Sequence, residues 1–114
     1  MTYAVININE LRREGRTYEL EGYEYGDTNV SLILVDMPPG VGVRLHSHPY
    51  GEIFIVHEGQ ATYTVGSATL EVHAGQIVIA PANVSHKFVN TGTGRLKQTD
   101  IHLNKEFITE WLED

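Results

Sequence analysis

The sequence predicts an all-β fold, an antiparallel sandwich or barrel, on three observations. Short runs of alternating or β-branched residues recur through most of the chain. Turns such as Glu58-Gly59, Gly66-Ser67, Ala74-Gly75 and Thr91-Gly92-Thr93-Gly94 separate them. Helical periodicity is confined to the end, from Asn104 on. Many short strands at this spacing, with no linker, repeat or low-complexity stretch, make one domain over residues 1–114.

In order, Tyr3 to Ile8 alternates weakly and is a candidate first strand. Asn9 to Gly15 (NELRREG) offers an N-cap, helix formers and a closing glycine, which suggests one helical turn. Thr17 to Tyr23 alternates apolar residues with glutamate and reads as an edge strand, ended by Gly26-Asp27. Asn29 to Met37 (NVSLILVDM) is a buried strand, stopped by Pro38-Pro39-Gly40. Further strands follow at Val41–His48, Glu52–His57, Gln60–Val65, Thr69–Val72, Gln76–Ala80, Ser85–Asn90 and Arg95–Leu103. Asn104 can cap a final helix over Lys105 to Glu113, with Phe107, Ile108, Trp111 and Leu112 on one face. That face is expected to pack on the barrel or on a partner subunit.

The chemistry is concentrated in residues 40–59. His46 and His48, two apart on a strand, share a side, with Cα atoms roughly 6.6–6.8 Å apart. Pro49-Tyr50-Gly51 is a turn tripeptide that can bring the Glu52 carboxylate back to the same spot. Two imidazoles and a carboxylate suit a divalent transition metal. A second block, residues 75–90, supplies His86 on a segment where His86, Phe88 and Asn90 share a face.

Together the blocks resemble the paired signature of the cupin superfamily. Gly40, His46, His48, Glu52 and Gly59 meet every fixed position of its first motif. Gly75, Pro81, His86 and Asn90 meet the second, with Asn83 where the family usually has glycine. Asparagine tolerates the left-handed turn conformation best after glycine, so this departure is a mild one. The resemblance covers about residues 30–103, flanked by N-terminal strands in 1–29 and a C-terminal helix in 104–114. It implies a double-stranded β-helix, or jelly-roll, barrel of the small single-domain type.

The resemblance implies metal ligation by His46, His48, Glu52 and His86. Gly40 and Asn90 serve turns and packing in the family pattern. Three neutral imidazoles and one carboxylate leave a net charge of +1 on a divalent ion. An octahedral ion would keep two open positions. Mn, Fe, Co, Ni, Cu and Zn all suit these donors. Family members with this set include dioxygenases, decarboxylases, isomerases and sugar- or auxin-binding proteins. The leading expectation is a metalloenzyme acting on a small organic molecule, with dioxygenase chemistry first. The alternative is a non-catalytic module that binds or senses a sugar or carboxylate.

Around the ligands, Arg44 has the parity of His46 and is expected at the pocket mouth, where it could hold an anion. A solvated arginine is the competing reading. Phe54, Val56 and Phe88 are expected as apolar wall. Asp100 and His102 alternate with Leu96 and Gln98 on the last strand, and either could act as general acid or base across the cavity. The competing reading puts the pair on the outer face. Tyr50 is either a lid or an exposed turn aromatic, and His57 and His73 read as surface residues.

Composition excludes other classes. The formal charge of −7 repels a nucleic-acid backbone and an anionic membrane surface. The apolar runs at Leu32–Val35 and Ile77–Ala80 are too short to span a bilayer. The start MTYAVININE lacks the pattern of a signal peptide, and the absence of cysteine fits a reducing compartment. The expected location is the cytoplasm. The expected partners are a small molecule and, by the resemblance, a second copy in a homodimer.

Overall fold

The computed structural model describes residues 3–114, so Met1 and Thr2 of the expected N-terminal region lie outside the described residues. Eleven strands form two antiparallel sheets. One carries β1 (Arg12–Glu14), β2 (Thr17–Leu20), β3 (Ser31–Met37), β10 (Leu96–His102), β5 (Glu52–Glu58) and β8 (Ile77–Ala80), in that spatial order. The other orders β11 (Glu110–Trp111), β4 (Gly42–Ser47), β9 (His86–Asn90), β6 (Gln60–Val65) and β7 (Ala68–His73). This is the all-β architecture that the alternating pattern requires. Among the described residues no helix is long and apolar enough to cross a membrane.

The alternation sorts side chains cleanly. On β5, Glu52, Phe54 and Val56 are buried between the sheets, while Ile53, Ile55 and His57 face outward. On β10 the buried set is Leu96, Gln98, Asp100 and His102. Val35, Met37, Phe54, Val56, Tyr63, Phe88 and Leu96 fill the core. Phe54 meets Tyr63 edge-on at 5.2 Å, and Tyr63 stacks on Phe88 at 5.3 Å. Outside the six-stranded sheet, register aligns Ile53 with Ile79 and Ile55 with Ile77, beside Leu32 and Leu34 of β3 through β10.

Two turns depend on left-handed backbone. Gly59 has φ +90°, and a Cβ there would lie 2.3 Å from the Arg95 carbonyl oxygen, so only glycine fits. Asn83 has φ +65°, the conformation expected where asparagine replaces glycine. Its backbone N–H donates to the His48 carbonyl at 2.7 Å, tying the two motif blocks together. Asn90, fully buried, donates from Nδ2 to the carbonyls of Met37 (3.0 Å) and Gly94 (2.9 Å), a structural role.

Four expectations toward the chain ends are corrected. Residues 3–7 carry no regular structure, so the strand expected at Tyr3–Ile8 is not formed. The helical turn lies at Ile8–Glu10, and Arg12–Glu14 is instead a strand, paired with β2 across the Gly15-Arg16 turn. The expected strand beyond Leu20 gives way to a 3-10 turn at Gly22–Glu24. No helix forms in 104–114: the segment runs extended, and β11 pairs with β4 through Glu110–Ser47 and Trp111–His46. Tertiary pairing outweighs helix propensity here, because so short a helix is marginal alone and Ile108, Thr109 and Trp111 fit a strand.

Candidate metal centre

Four buried side chains converge between the sheets: His46, His48, Glu52 and His86, whose ligand atoms all lie within 4.8 Å of one another. His46 and His86 are direct cross-strand partners on β4 and β9, with rings 4.3 Å apart. His48 follows His46 on the same side, rings 4.9 Å apart. Glu52 opens β5 in the opposite sheet, so the ion site bridges the two sheets.

Backbone carbonyls fix the histidine tautomers. A carbonyl can only accept, so Nδ1–H donates in each case: His46 to Arg44 O at 2.7 Å, His48 to Ile108 O at 2.8 Å, and His86 to Val84 O at 3.1 Å. The Nε2 atoms of neutral rings therefore present lone pairs. Glu52 Oε1 lies 3.1 Å from both His48 Nε2 and His86 Nε2. His48 Nε2 is buried with no hydrogen-bond partner. Lone pairs facing a carboxylate oxygen at this distance repel unless a cation stands among them. The donor set fits a divalent transition metal.

The electrostatics favour the same occupant. Burial lowers the His46 pKa from 6.5 to about 4; the Arg44 carbonyl opposes this, while His86 and His48 add to it. The ring is neutral and able to ligate near pH 7. Burial of Glu52 pushes its carboxyl up; without an ion, donation to it from the rings of His102, His48 and His86 outweighs that and holds it below the usual carboxylate range. A cation takes over that part when the Nδ1–H tautomers turn lone pairs toward it. Glu52 is a carboxylate at neutral pH.

Asp100 and His102 both face inward and are buried, so the outer-face reading of that pair does not describe the structure. His102 Nε2 lies 3.1 Å from Glu52 Oε2, the oxygen turned away from His48 and His86. Tyr50 Oη is hydrogen-bonded to His102 Nδ1 at 2.7 Å and accepts from Ile108 N–H at 3.3 Å. The Tyr50 ring stacks on His48 at 4.9 Å, so this residue is neither a free lid nor a solvent-exposed turn aromatic. Asp100 Oδ1 accepts from Gln98 Nε2 at 2.7 Å, and Gln98 in turn accepts from Tyr63 Oη at 2.7 Å. Burial and the Glu52 charge raise the Asp100 pKa well above the carboxyl range, with Gln98 opposing.

A cavity of about 530 Å³ opens onto the cluster. Phe54 and Phe88 line it, as does Asp100, while Val56 sits beneath in the core. Of the two readings of Arg44, the solvated one describes the structure and the pocket-mouth one does not. A bulge between Val43 and His46 places two residues of β4 opposite one of β9 and inverts the parity. Val43 therefore borders the cavity, and Arg44 lies exposed outside it, its guanidinium 4.4 Å from the Trp111 ring. His57 and His73 are exposed, as the sequence suggests.

Sequence reading missed the C-terminal segment as part of the site. Phe107, Thr109 and Trp111 border the cavity; Phe107 meets His102 at 4.9 Å and Trp111 meets His46 at 5.0 Å. Their spacing of two is a strand signal that the overlapping helical stripe obscured. The β1–β2 hairpin, through Glu14, Arg16, Thr17 and Glu19, also borders the cavity and carried no signal.

The fold and the cluster define a double-stranded β-helix protein with a buried four-residue group able to hold a metal ion. The family model of the cupin domain matches residues 33–102, and the chain belongs to that family. It is 34% identical over 68 residues to the polyketide synthase CurC of Streptomyces cyaneus, covering 59% of this chain and 44% of that protein. The chain spans about half the length of the curated relatives it matches. A Klebsiella pneumoniae protein with a double-stranded β-helix domain superposes with a TM-score of 0.74 at 23% identity, over 96% of this chain and 97% of that one. Bacillus subtilis oxalate decarboxylase, a protein with Mn(II) centres, gives 0.76 at 23% identity, over 84% of this chain and 27% of that one.

Proposed function

We propose that the protein is a metalloenzyme acting on a small organic molecule, with dioxygenase-type chemistry leading over decarboxylation or isomerisation. One observation carries this reading: the three Nε2 lone pairs and the Glu52 carboxylate meet at one point bordering an apolar cavity. A divalent ion held there by His46, His48, Glu52 and His86 supplies Lewis acidity and positions for substrate. Mn, Fe, Co, Ni, Cu and Zn fit the donors, and the Mn(II) centres of the oxalate decarboxylase neighbour put manganese among the first to test. The CurC relative, a polyketide synthase protein, supports a carbon-skeleton substrate.

The chain's own residues perform the remaining tasks. Phe54, Phe88 and Val43 exclude water from the reacting end, with Val56 packed behind them. Tyr50 is hydrogen-bonded to His102, whose buried Nε2 stands 3.1 Å from Glu52 Oε2. Asp100, bordering the cavity with its pKa raised by burial and by the Glu52 charge, is placed to give or take a proton. Metal analysis of protein purified without chelating resin, followed by oxygen uptake against catechols, flavonols, β-diketones and oxalate, tests the proposal. Uptake with one class supports it. Tight binding without turnover across the panel would instead assign a binding or sensing module.

The partner proposed for the outer face of the six-stranded sheet is a second copy of the chain. Ile77 and Ile79 are 61% and 64% exposed there, continuous with Ile53, Ile55, Leu32 and Leu34. Light scattering at the mass of a monomer would remove the dimer.

A further inference from the structure

The cavity bordering the ion site has a charge balance that narrows what it can take. Val35, Met37, Val43, Phe54, Phe88 and Phe107 make its wall apolar. Arg16 is the single cationic side chain among the residues bordering it. That residue is exposed at the tip of the β1–β2 hairpin, where Glu14 and Glu19 border the same opening. Arg44, the other arginine of this region, lies outside on Trp111. The inward carboxyl groups, Glu52 and Asp100, have no lysine or arginine partner among the described residues.

A divalent ion with the Glu52 carboxylate and three neutral imidazoles carries a net +1. A monoanionic chelator balances that charge. A dianion leaves one negative charge with no inward lysine or arginine to meet it, against apolar walls, which is costly. The volume of about 530 Å³ falls in the range that encloses ring-sized organic ligands, and the Phe54, Phe88 and Phe107 rings offer edges and faces to an aromatic guest.

Resting on the metal reading above, we infer that the site selects ring-bearing monoanionic oxygen chelators, such as enolates or phenolates, and rejects small dianionic dicarboxylates. The net charge of the ion set, with Arg44 left outside and no lysine or arginine facing inward beside it, sets the selection by charge. The apolar wall sets it by shape.

The test uses the full chain loaded with Co(II), whose retained cobalt is measured first. The visible spectrum is then titrated with tropolone, an aromatic monoanionic chelator, and with oxalate. The expected result is a tropolone-over-oxalate preference at least tenfold greater than that of aqueous Co(II). Phe107→Ala should move that preference back toward the aqueous value. A preference equal to or below that of the aqueous ion, or no response to either chelator, overturns the inference while retained cobalt leaves the metal reading standing. Failure to retain cobalt overturns both and is recognised at the first measurement.

Discussion

The four ion-facing side chains and the C-terminal segment over them stand a few ångströms apart, yet they are held in very different ways. Glu52 and His86 lie on strands β5 and β9, each paired along both edges within the sheets, and His46 lies on β4, paired with β9 on one edge and with the terminal β11 on the other. Residues 105–114 are tied by two ladder positions and a handful of bonds. Leu112 N–H donates to Leu45 O at 2.9 Å, Phe107 N–H to Glu21 Oε2 at 2.9 Å, and Leu45 N–H to Glu113 Oε1 at 2.9 Å. Ile108, Trp111 and Leu112 remain 45–49% exposed. A segment with few buried contacts opens at low free-energy cost, whereas doubly paired strands open only with the fold. The difference separates two tasks. The sheets fix where the ion sits, and the terminal segment governs what surrounds it and what reaches it.

The contrast is sharpest at Ile108. Its carbonyl accepts from His48 Nδ1, and its N–H donates to Tyr50 Oη, which is hydrogen-bonded to His102 beside Glu52. One residue of the loosely held segment thus orients two members of the firmly held set. Two substitution experiments test the division, both read as ion affinity by competition with a chromophoric chelator. Replacing a ligand, as in His86→Ala or Glu52→Gln, should lower affinity by more than ~100-fold, beyond the effect usual for outer-shell partners. Circular dichroism should stay unchanged. Ending the chain after Asn104 should lower affinity by about 10–100-fold, since it removes orienting groups but no ligand. A loss as large as that for His86→Ala would place the terminal segment inside the structural unit. No loss would reduce it to a cover.

The same two regions differ in how far the sequence reveals them. An ion demands particular donors at particular intervals, so His46-x-His48, Glu52 and His86 stand out against any background. Gly59 and Asn83 do so because left-handed backbone restricts residue choice. Strict alternation along β10 puts Asp100 and His102 on one face, but which face turns inward is settled only by the assembled sheets. The pocket-mouth reading of Arg44 fails, and the solvated one holds, because one bulge residue inverts parity, and nothing in Val43-Arg44-Leu45 marks a bulge. The terminal segment satisfies two periodicities at once, with Phe107, Ile108, Trp111 and Leu112 tracing a helical stripe and Phe107, Thr109 and Trp111 a strand face. An open edge of β4 decided between them, and that edge is a property of the assembled sheet. For β1 the reason is different: Arg12-Arg13-Glu14 is exposed and fully charged, so pairing through the hairpin, not burial, makes it a strand.

A last and smaller effect distinguishes the ion-facing carboxylate from the carboxyl across the cavity. Glu52 is held ionised by its histidine contacts, which outweigh burial, whereas Asp100 is pushed up by burial and by Glu52 itself. The folded-state pKa of Asp100 lies above its unfolded value, so the folded chain keeps this proton to higher pH than the unfolded one. Stability contributed by that proton is present below the ordinary carboxyl range and is lost as pH rises through the raised pKa. At neutral pH the Asp100 side chain therefore works against the fold of the metal-free protein. Asp100→Asn keeps an oxygen to accept from Gln98 Nε2 and cannot ionise. Metal-free Asp100→Asn should melt above the parent at about pH 8, with the gap closing as pH falls toward about 4, near the ordinary aspartate pKa. Thermal melts of the two proteins across that range decide the matter. A parent that is the more stable at pH 8 would mean that the Asp100 charge is compensated in the fold, and the opposition between the two carboxyls would fall.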